Sequence, residues 1–189
     1  IIPALTFVSD ANTVVQLGAK PILADSKSLL DLNISVDNIK EKISNRTKAI
    51  LVVHFAGYPM DLSELITICR KQDILLIEDC AHSPGAKIGD TYCGAFGDAS
   101  FFSFFSNKNL AVGEGGMVFC KNEYLNKRVK LQRSHGMSAL TLDRYRGRSF
   151  SYDVKDFGLN YRPDEMRAAL GIVQLSKLKD GNNKRQKLV

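Results

Sequence analysis

Three stretches of this 189-residue chain combine residue types that could do chemistry. Asp79 closes the apolar run Ile74-Leu75-Leu76-Ile77-Glu78 and is followed by Cys80, Ala81 and His82. A carboxylate there either caps the next turn or points into the crevice at the C-terminal strand ends, where open α/β sheets bind ligands. Lys108 follows Phe102-Ser103-Phe104-Phe105-Ser106-Asn107, an aromatic segment rich in small hydroxyls. A lone lysine is more often solvated than catalytic. Gly113-Glu114-Gly115-Gly116 is too short and wrongly spaced for a phosphate loop or a dinucleotide fingerprint. By itself it reads as a tight turn before a strand.

The elements that must position these residues alternate short apolar runs with amphipathic stretches, the pattern of βαβ units and a mostly parallel sheet. Strands are expected at Pro21–Asp25, Lys48–His54 and Ile74–Asp79, the last bringing two carboxylates, Glu78 and Asp79, to its C-terminal end. Ser35 is placed to cap a helix through Ile43. A second helix starts near Asp61, with Leu62, Leu65, Ile66 and Cys69 on one side. Lys87–Tyr92 reads as a hairpin around Gly89-Asp90, Ala99–Phe105 and Met117–Cys120 as strands, and Glu123–Arg133 as a helix. Residues 137–160 show no periodicity and are expected to form a long functional or interface loop. From Pro163, set at a helix start, residues 163–189 can run as a helix that ends in a basic tail.

Composition narrows the class. With 44% hydrophobic and 24% charged residues the chain reads as an ordinary globular protein, and it contains no apolar run long enough to span a bilayer. The four cysteines (69, 80, 93 and 120) form no C-x-x-C pair and have no histidine at zinc-ligand spacing, so neither a metal site nor a disulfide scaffold is expected; a reducing cytoplasm is. The net charge of +6 is uneven: residues 121–189 hold 16 Lys/Arg against 7 Asp/Glu, and residues 1–120 hold 10 against 13. Without an aromatic RNA motif or a helix-turn-helix, that bias suggests a solvated face or an anionic small ligand rather than nucleic acid.

Taken in order, several segments resemble one family. Glu78-Asp79-Cys80-Ala81-His82, Phe102-Ser103-Phe104 with Lys108 five residues after the serine, Gly113-Glu114-Gly115-Gly116, and Gly158-Leu159-Asn160-Tyr161-Arg162 with Glu165 resemble the DegT-type nucleotide-sugar aminotransferases. Pro3-Ala4-Leu5-Thr6-Phe7, Arg46-Thr47-Lys48-Ala49-Ile50, His54 with Gly57 and Pro59, and Arg133-Ser134-His135-Gly136 add to the likeness, which covers essentially the whole chain. The resemblance implies a fold-type I, pyridoxal phosphate-dependent large domain like that of aspartate aminotransferase. Its architecture would be three-layer α/β/α around a mostly parallel, mixed sheet.

It also implies roles. Lys108 stands where the family's lysine bonds covalently to pyridoxal phosphate and later shuttles a proton between substrate and cofactor carbons. Asp79 matches the carboxylate that pairs with the pyridine nitrogen and keeps it protonated. His82 falls where a Gln or His hydrogen-bonds the cofactor's phenolic oxygen, Ser103 where a hydroxyl binds its phosphate, and Phe7 where an aromatic ring stacks on the pyridine. Asn160 matches a residue that reaches the phosphate of the neighbouring subunit's cofactor, which implies a homodimer with shared sites; Arg162 is either part of that interface or a surface ion pair.

The loop arginines Arg133, Arg144, Arg146 and Arg148 suit a nucleotide diphosphate or the donor's carboxylate through bidentate hydrogen bonds, or simply form a solvated interface. The implied activity moves an amino group from an amino acid, L-glutamate being expected, to a keto group of a nucleotide-linked deoxysugar, in the setting of surface glycans or glycosylated antibiotics. Alternatives are a sugar dehydratase of the same family, whose members tend to carry His in place of the lysine, and a non-catalytic pyridoxal phosphate-binding or regulatory protein or inactive fragment. Family members are about twice as long, so residues 1–189 are expected to be the central part of the large domain. An N-terminal phosphate-binding segment and a C-terminal domain, towards which the last helix would lead, are the expected missing pieces. Ser106-Asn107 departs from the His-containing version of that stretch, leaving the sugar open.

Overall fold

The computed structural model of the chain describes residues 1–139, 143 and 145–188. Its centre is a four-stranded sheet in the order β3 (Ala49–Val53), β4 (Leu75–Asp79), β7 (Ala99–Ser103), β8 (Gly116–Cys120). The first three strands are parallel, with Val53 opposite Asp79 and Asp79 opposite Phe101, and β8 returns antiparallel beside β7. A two-residue parallel pair, β1 (Ile2–Pro3) and β2 (Leu23–Ala24), abuts β3. It is tied there by bonds from the Ile1 amine to the Ala49 carbonyl and from Leu51 N–H to the Ile1 carbonyl.

Strand alternation divides the core in two, because successive side chains point to opposite faces. Ile50, Val52 and Leu76 face helices α2 (Val36–Lys42) and α3 (Ser63–Gln72), where Ile39, Leu62, Leu65 and Cys69 are buried against them. Leu51, Val53, Ile77 and Phe101 face the other way, under Ala11 and Val14 of helix α1 (Ser9–Gln16). Helices therefore cover both faces of a mostly parallel, mixed sheet, the expected α/β arrangement. Each fully buried aliphatic side chain contributes about 1.5–3 kcal/mol, so both faces are needed to hold the sheet.

Local chemistry ends the elements where expected. Ser35 Oγ accepts from Asn38 N–H and starts α2, and Asp73 closes α3 in the left-handed conformation (φ 54°), which Asp tolerates better than most residues. Strands β5 (Lys87–Ile88) and β6 (Thr91–Tyr92) form the hairpin around Gly89-Asp90. Helix α4 (Glu123–Gln132) is capped by Asn122, whose Oδ1 accepts from Tyr124 and Leu125 N–H.

One expected helix start shifts and one helix is new. The last helix, α5 (Glu165–Gln186), starts two residues after Pro163, because the Asp164 carboxylate takes the Arg167 N–H and so sets the cap. Helix α1 does not appear in the sequence reading, its apolar face being only Ala11 and Val14. The described part of the 137–160 segment is tied to its surroundings: Leu159 N–H donates to Gln132 O and Lys155 N–H to Gly136 O, and just beyond it Tyr161 N–H donates to Arg133 O.

Candidate functional site

Three loops meet at the C-terminal edge of the sheet. Past β3, a one-turn helix at Phe55–Gly57 holds Ala56 at φ 52° and Gly57 at φ 88°. A left-handed alanine costs roughly 1–2 kcal/mol, and here it aims the Ala56 N–H at His82 Nδ1, 3.3 Å away. Gly57 cannot be larger, since a Cβ would lie 2.9 Å from the His82 carbonyl oxygen. With Nδ1 accepting, the neutral ring carries its proton on Nε2, free to donate to a ligand. Burial and the charge of Lys108 hold the His82 pKa below its ordinary value, which favours that neutral form.

Asp79 ends the central strand β4, with Cys80 N–H held by the Phe101 carbonyl. Its side chain is 5% exposed and accepts one bond, from Ala81 N–H at 2.8 Å. Burial pushes its pKa from 3.8 to about 6; Ala81 N–H and the charge of Lys108 oppose the rise, and Asp10 adds to it. A buried carboxylate whose charge is this poorly compensated suits a cationic partner. Asp79 thus stabilises the next turn, whose Ala81 and His82 line the crevice.

Lys108 rides on the β7–β8 connection. Phe104 N–H donates to Gly115 O and Val112 N–H to Phe104 O, folding the loop on itself so that Lys108, half-buried, sits at its far end. A shallow pocket is lined by Ala56, Ala81, His82, Asn107, Lys108 and Asn109, so the lysine and the histidine share one wall. Ser103 ends β7 with its Oγ accepting from Phe105 N–H at 3.3 Å, leaving the hydroxyl proton for a ligand. Phe7 is 73% exposed, so it is no core aromatic of this chain.

Glu78 is not the second crevice carboxylate that the sequence suggests. It is fully buried on the opposite face of β4, where its oxygens accept from His54 Nε2 (3.0 Å) and from the N–H groups of Gly94 (2.7 Å), Phe96 (2.8 Å) and Gly97 (2.6 Å). Burial alone would raise its pKa; the His54 bond and the Gly97 and Gly94 N–H groups outweigh burial and lower it. His54 Nδ1 accepts from Met60 N–H at 3.0 Å, so the ring proton is on Nε2. The ligand-type atoms of His54, Glu78 and Cys80 lie within 4.8 Å of one another. With both His54 nitrogens and both Glu78 oxygens occupied, the group is a strut that locks β3, β4 and the 94–97 turn together.

Asn160 is exposed, its backbone bridged to Ser134. Arg146 and Arg148 are exposed and outside the Lys108 pocket, and Arg144 lies outside the described residues. Arg133 keeps a buried Nε with no hydrogen-bond partner. The sequence reading missed Asp10, which is 4% exposed and takes a hydrogen bond from the Thr6 hydroxyl. Its signal was its helical spacing, one residue before Ala11 and four before Val14, which puts an acid on the apolar face of α1. No helix among the described residues is long and apolar enough to cross a membrane.

Comparisons with known proteins identify the family of the chain. The chain is 37% identical over 180 residues to GDP-perosamine synthase of Escherichia coli O157:H7, covering 95% of this chain and 47% of that protein. It is 35% identical over 178 residues to GDP-perosamine synthase of Vibrio cholerae, covering 94% and 46%. Among solved structures it superposes on Helicobacter pylori PseC, an aminotransferase involved in the biosynthesis of pseudoaminic acid, with a TM-score of 0.85 at 33% identity, over 94% of this chain and 46% of that one. The chain thus spans about half the length of these relatives. The sequence profile of the DegT/DnrJ/EryC1/StrS aminotransferases matches residues 1–189, and the chain belongs to that family.

Proposed function

We propose that the full-length protein is a pyridoxal phosphate-dependent sugar aminotransferase that moves an amino group from an amino acid, L-glutamate by preference, to a keto group of a nucleotide-linked deoxysugar. The observation that carries this reading is the convergence of Asp79, His82 and Lys108 at one sheet edge, with Lys108 close enough for its charge to be felt by both of the others. The family as a whole depends on pyridoxal phosphate, and the residues here fit that group. Asp79 is a buried, under-compensated acid suited to a protonated ring nitrogen, His82 offers an Nε2–H for the phenolic oxygen, and Ser103 has a hydroxyl proton to give a phosphate. Phe7, standing clear of the core, can lie against the ring.

When bound, the cofactor supplies an electron sink conjugated to the carbon that loses its proton. The chain's own residues do the rest. Asp79 fixes the ring's nitrogen end and keeps it charged. His82 and Phe7 set the ring plane, and a fixed plane aligns the bond to be broken. Lys108 Nζ takes up and returns the proton on the substrate side.

Asn160 we assign to the phosphate of a neighbouring subunit's cofactor in a homodimer, which agrees with its exposure at the edge of the 133–161 segment. Arg133, with its unpaired Nε, and the exposed Arg146 and Arg148 are assigned to the anionic parts of the substrates; we extend that assignment to Arg144 as well. Borohydride reduction of the full-length protein loaded with pyridoxal phosphate should leave the pyridoxyl group on Lys108, read by peptide mass mapping. An adduct that persists in Lys108→Ala, or no adduct in the wild type, would sink the reading. Addition of glutamate should then convert the cofactor to its amino form; a spectrum that stays unchanged would mean a silent binder.

A further inference from the structure

The one buried residue of α1 is an acid, Asp10. Its helix packs through Ala11 and Val14 on the sheet face that carries Ile77 and Phe101. Asp79, two residues beyond Ile77 on the same strand, projects to that same face. Asp10 is 4% exposed and Asp79 is 5% exposed, so two carboxylates lie out of water on one side of the β4 tip. Asp10 is held in place twice: its Oδ2 accepts from the Thr6 hydroxyl, and its N–H donates to the Phe7 carbonyl at 3.2 Å. The second bond joins it to the turn that carries the ring-stacking candidate. No arginine or lysine pairs with Asp10 among the described salt bridges; Lys108 and His54 are the cationic or basic groups that act on Asp79.

We propose that Asp10 is a positioning residue for the cofactor ring, a second buried carboxylate that gives the ring-nitrogen end of the site excess negative charge and so selects a pyridine ring that carries its proton. The inference rests on the pyridoxal phosphate reading given above. Like charges in one desolvated site oppose each other's ionisation. The negative charge of Asp10 is among the causes that raise Asp79, and burial raises Asp10 itself. Before the cofactor enters, the pair therefore retains a proton on Asp79 into mildly acidic pH. A ring nitrogen that arrives protonated brings a positive charge to the same place, and Asp10 favours it without touching it. Asparagine at position 10 keeps the size and can still accept from Thr6, but it removes the charge.

The experiment uses the full-length protein and two probes, pyridoxal phosphate and its 1-deaza analogue, in which carbon replaces the ring nitrogen. Asp10→Asn should weaken pyridoxal phosphate binding about tenfold, the equivalent of one pH unit in the ring nitrogen's proton affinity, and leave the deaza analogue's Kd unchanged. In the cofactor-free protein, the Asp79 carboxyl, followed by its 13C chemical shift, should titrate at lower pH in Asp10→Asn than in the wild type. Equal weakening of both probes would show a merely structural role and overturn the proposal, as would an unmoved Asp79 midpoint. Should the asparagine variant fail to fold, Asp10→Ser takes its place with the same expectations. Failure of the cofactor reading itself is distinguishable: the wild type would then form no reducible adduct at Lys108, while the carboxyl titration would still test the coupling of Asp10 to Asp79.

Discussion

Asp79→Asn should make the cofactor-free protein more stable above neutral pH while removing its capacity to hold a protonated ring. In the folded chain burial pushes the Asp79 pKa from 3.8 to about 6. A raised carboxylate pKa means that folding favours the protonated form. The carboxyl therefore costs nothing below its unfolded value, and the cost grows as the pH rises, reaching its full size above about 6. About two pH units at about 1.4 kcal/mol each give a penalty of about 3 kcal/mol at pH 8, large beside the 5–15 kcal/mol of a typical domain. Asparagine keeps the acceptor for Ala81 N–H and carries no charge to desolvate. Urea unfolding followed by circular dichroism should show a higher midpoint for the variant at pH 8, with an unchanged slope, and near equality with the wild type at pH 4. A variant no more stable at pH 8, or equally stabilised at both pH values, would refute the argument. The same variant should bind pyridoxal phosphate at least tenfold more weakly, since stability and cofactor retention draw on one buried charge.

Glu78→Gln should do the reverse and destabilise the protein by about 2–4 kcal/mol, because the amide NH2 must face N–H donors now bound to a carboxylate. Here the folded pKa is lowered, so the wild type's advantage is present above the unfolded value of 4.5 and fades as the pH falls below it; urea midpoints that match at pH 7 would contradict this. Gly136→Ala should loosen the 133–161 segment, since Gly136 sits at φ 70° and a Cβ would collide with the Asp156 backbone. Amide exchange at Lys155 and Leu159 should speed up in that variant, with β4 unaffected; unchanged protection would show that the segment does not depend on this contact.

The adjacent pair Glu78 and Asp79 shows where sequence reading stops. Period-2 alternation fixes that the two carboxylates leave the strand on opposite faces, but not which face is closed. The structure puts Glu78 beneath Gly94–Gly97, some 16 to 19 residues on, whose N–H groups converge on it. Asp79, also buried, meets a single N–H. Burial and the number of donors, neither visible in a strand's own residues, gave one acid a lowered pKa and the other a raised one.

Local rules carried most of the fold. Apolar runs named β3, β4 and β7, Ser35 marked the start of α2, and Gly89-Asp90 marked the hairpin, because strands, caps and tight turns are decided by residues within a few positions of one another. Motif order carried the family. Helix α1 was missed because its apolar stripe is two residues wide, too little for periodicity to register, and Asp10 was missed with it. What the sequence alone determined is thus the alternation of elements and the types of group present: a lysine, an acid at a strand tip, a histidine three residues on. What only the tertiary structure decided is which groups are desolvated together, since charge interactions depend on distance and burial across β4, α1 and the Lys108 loop, and those are set by packing between segments far apart in the chain.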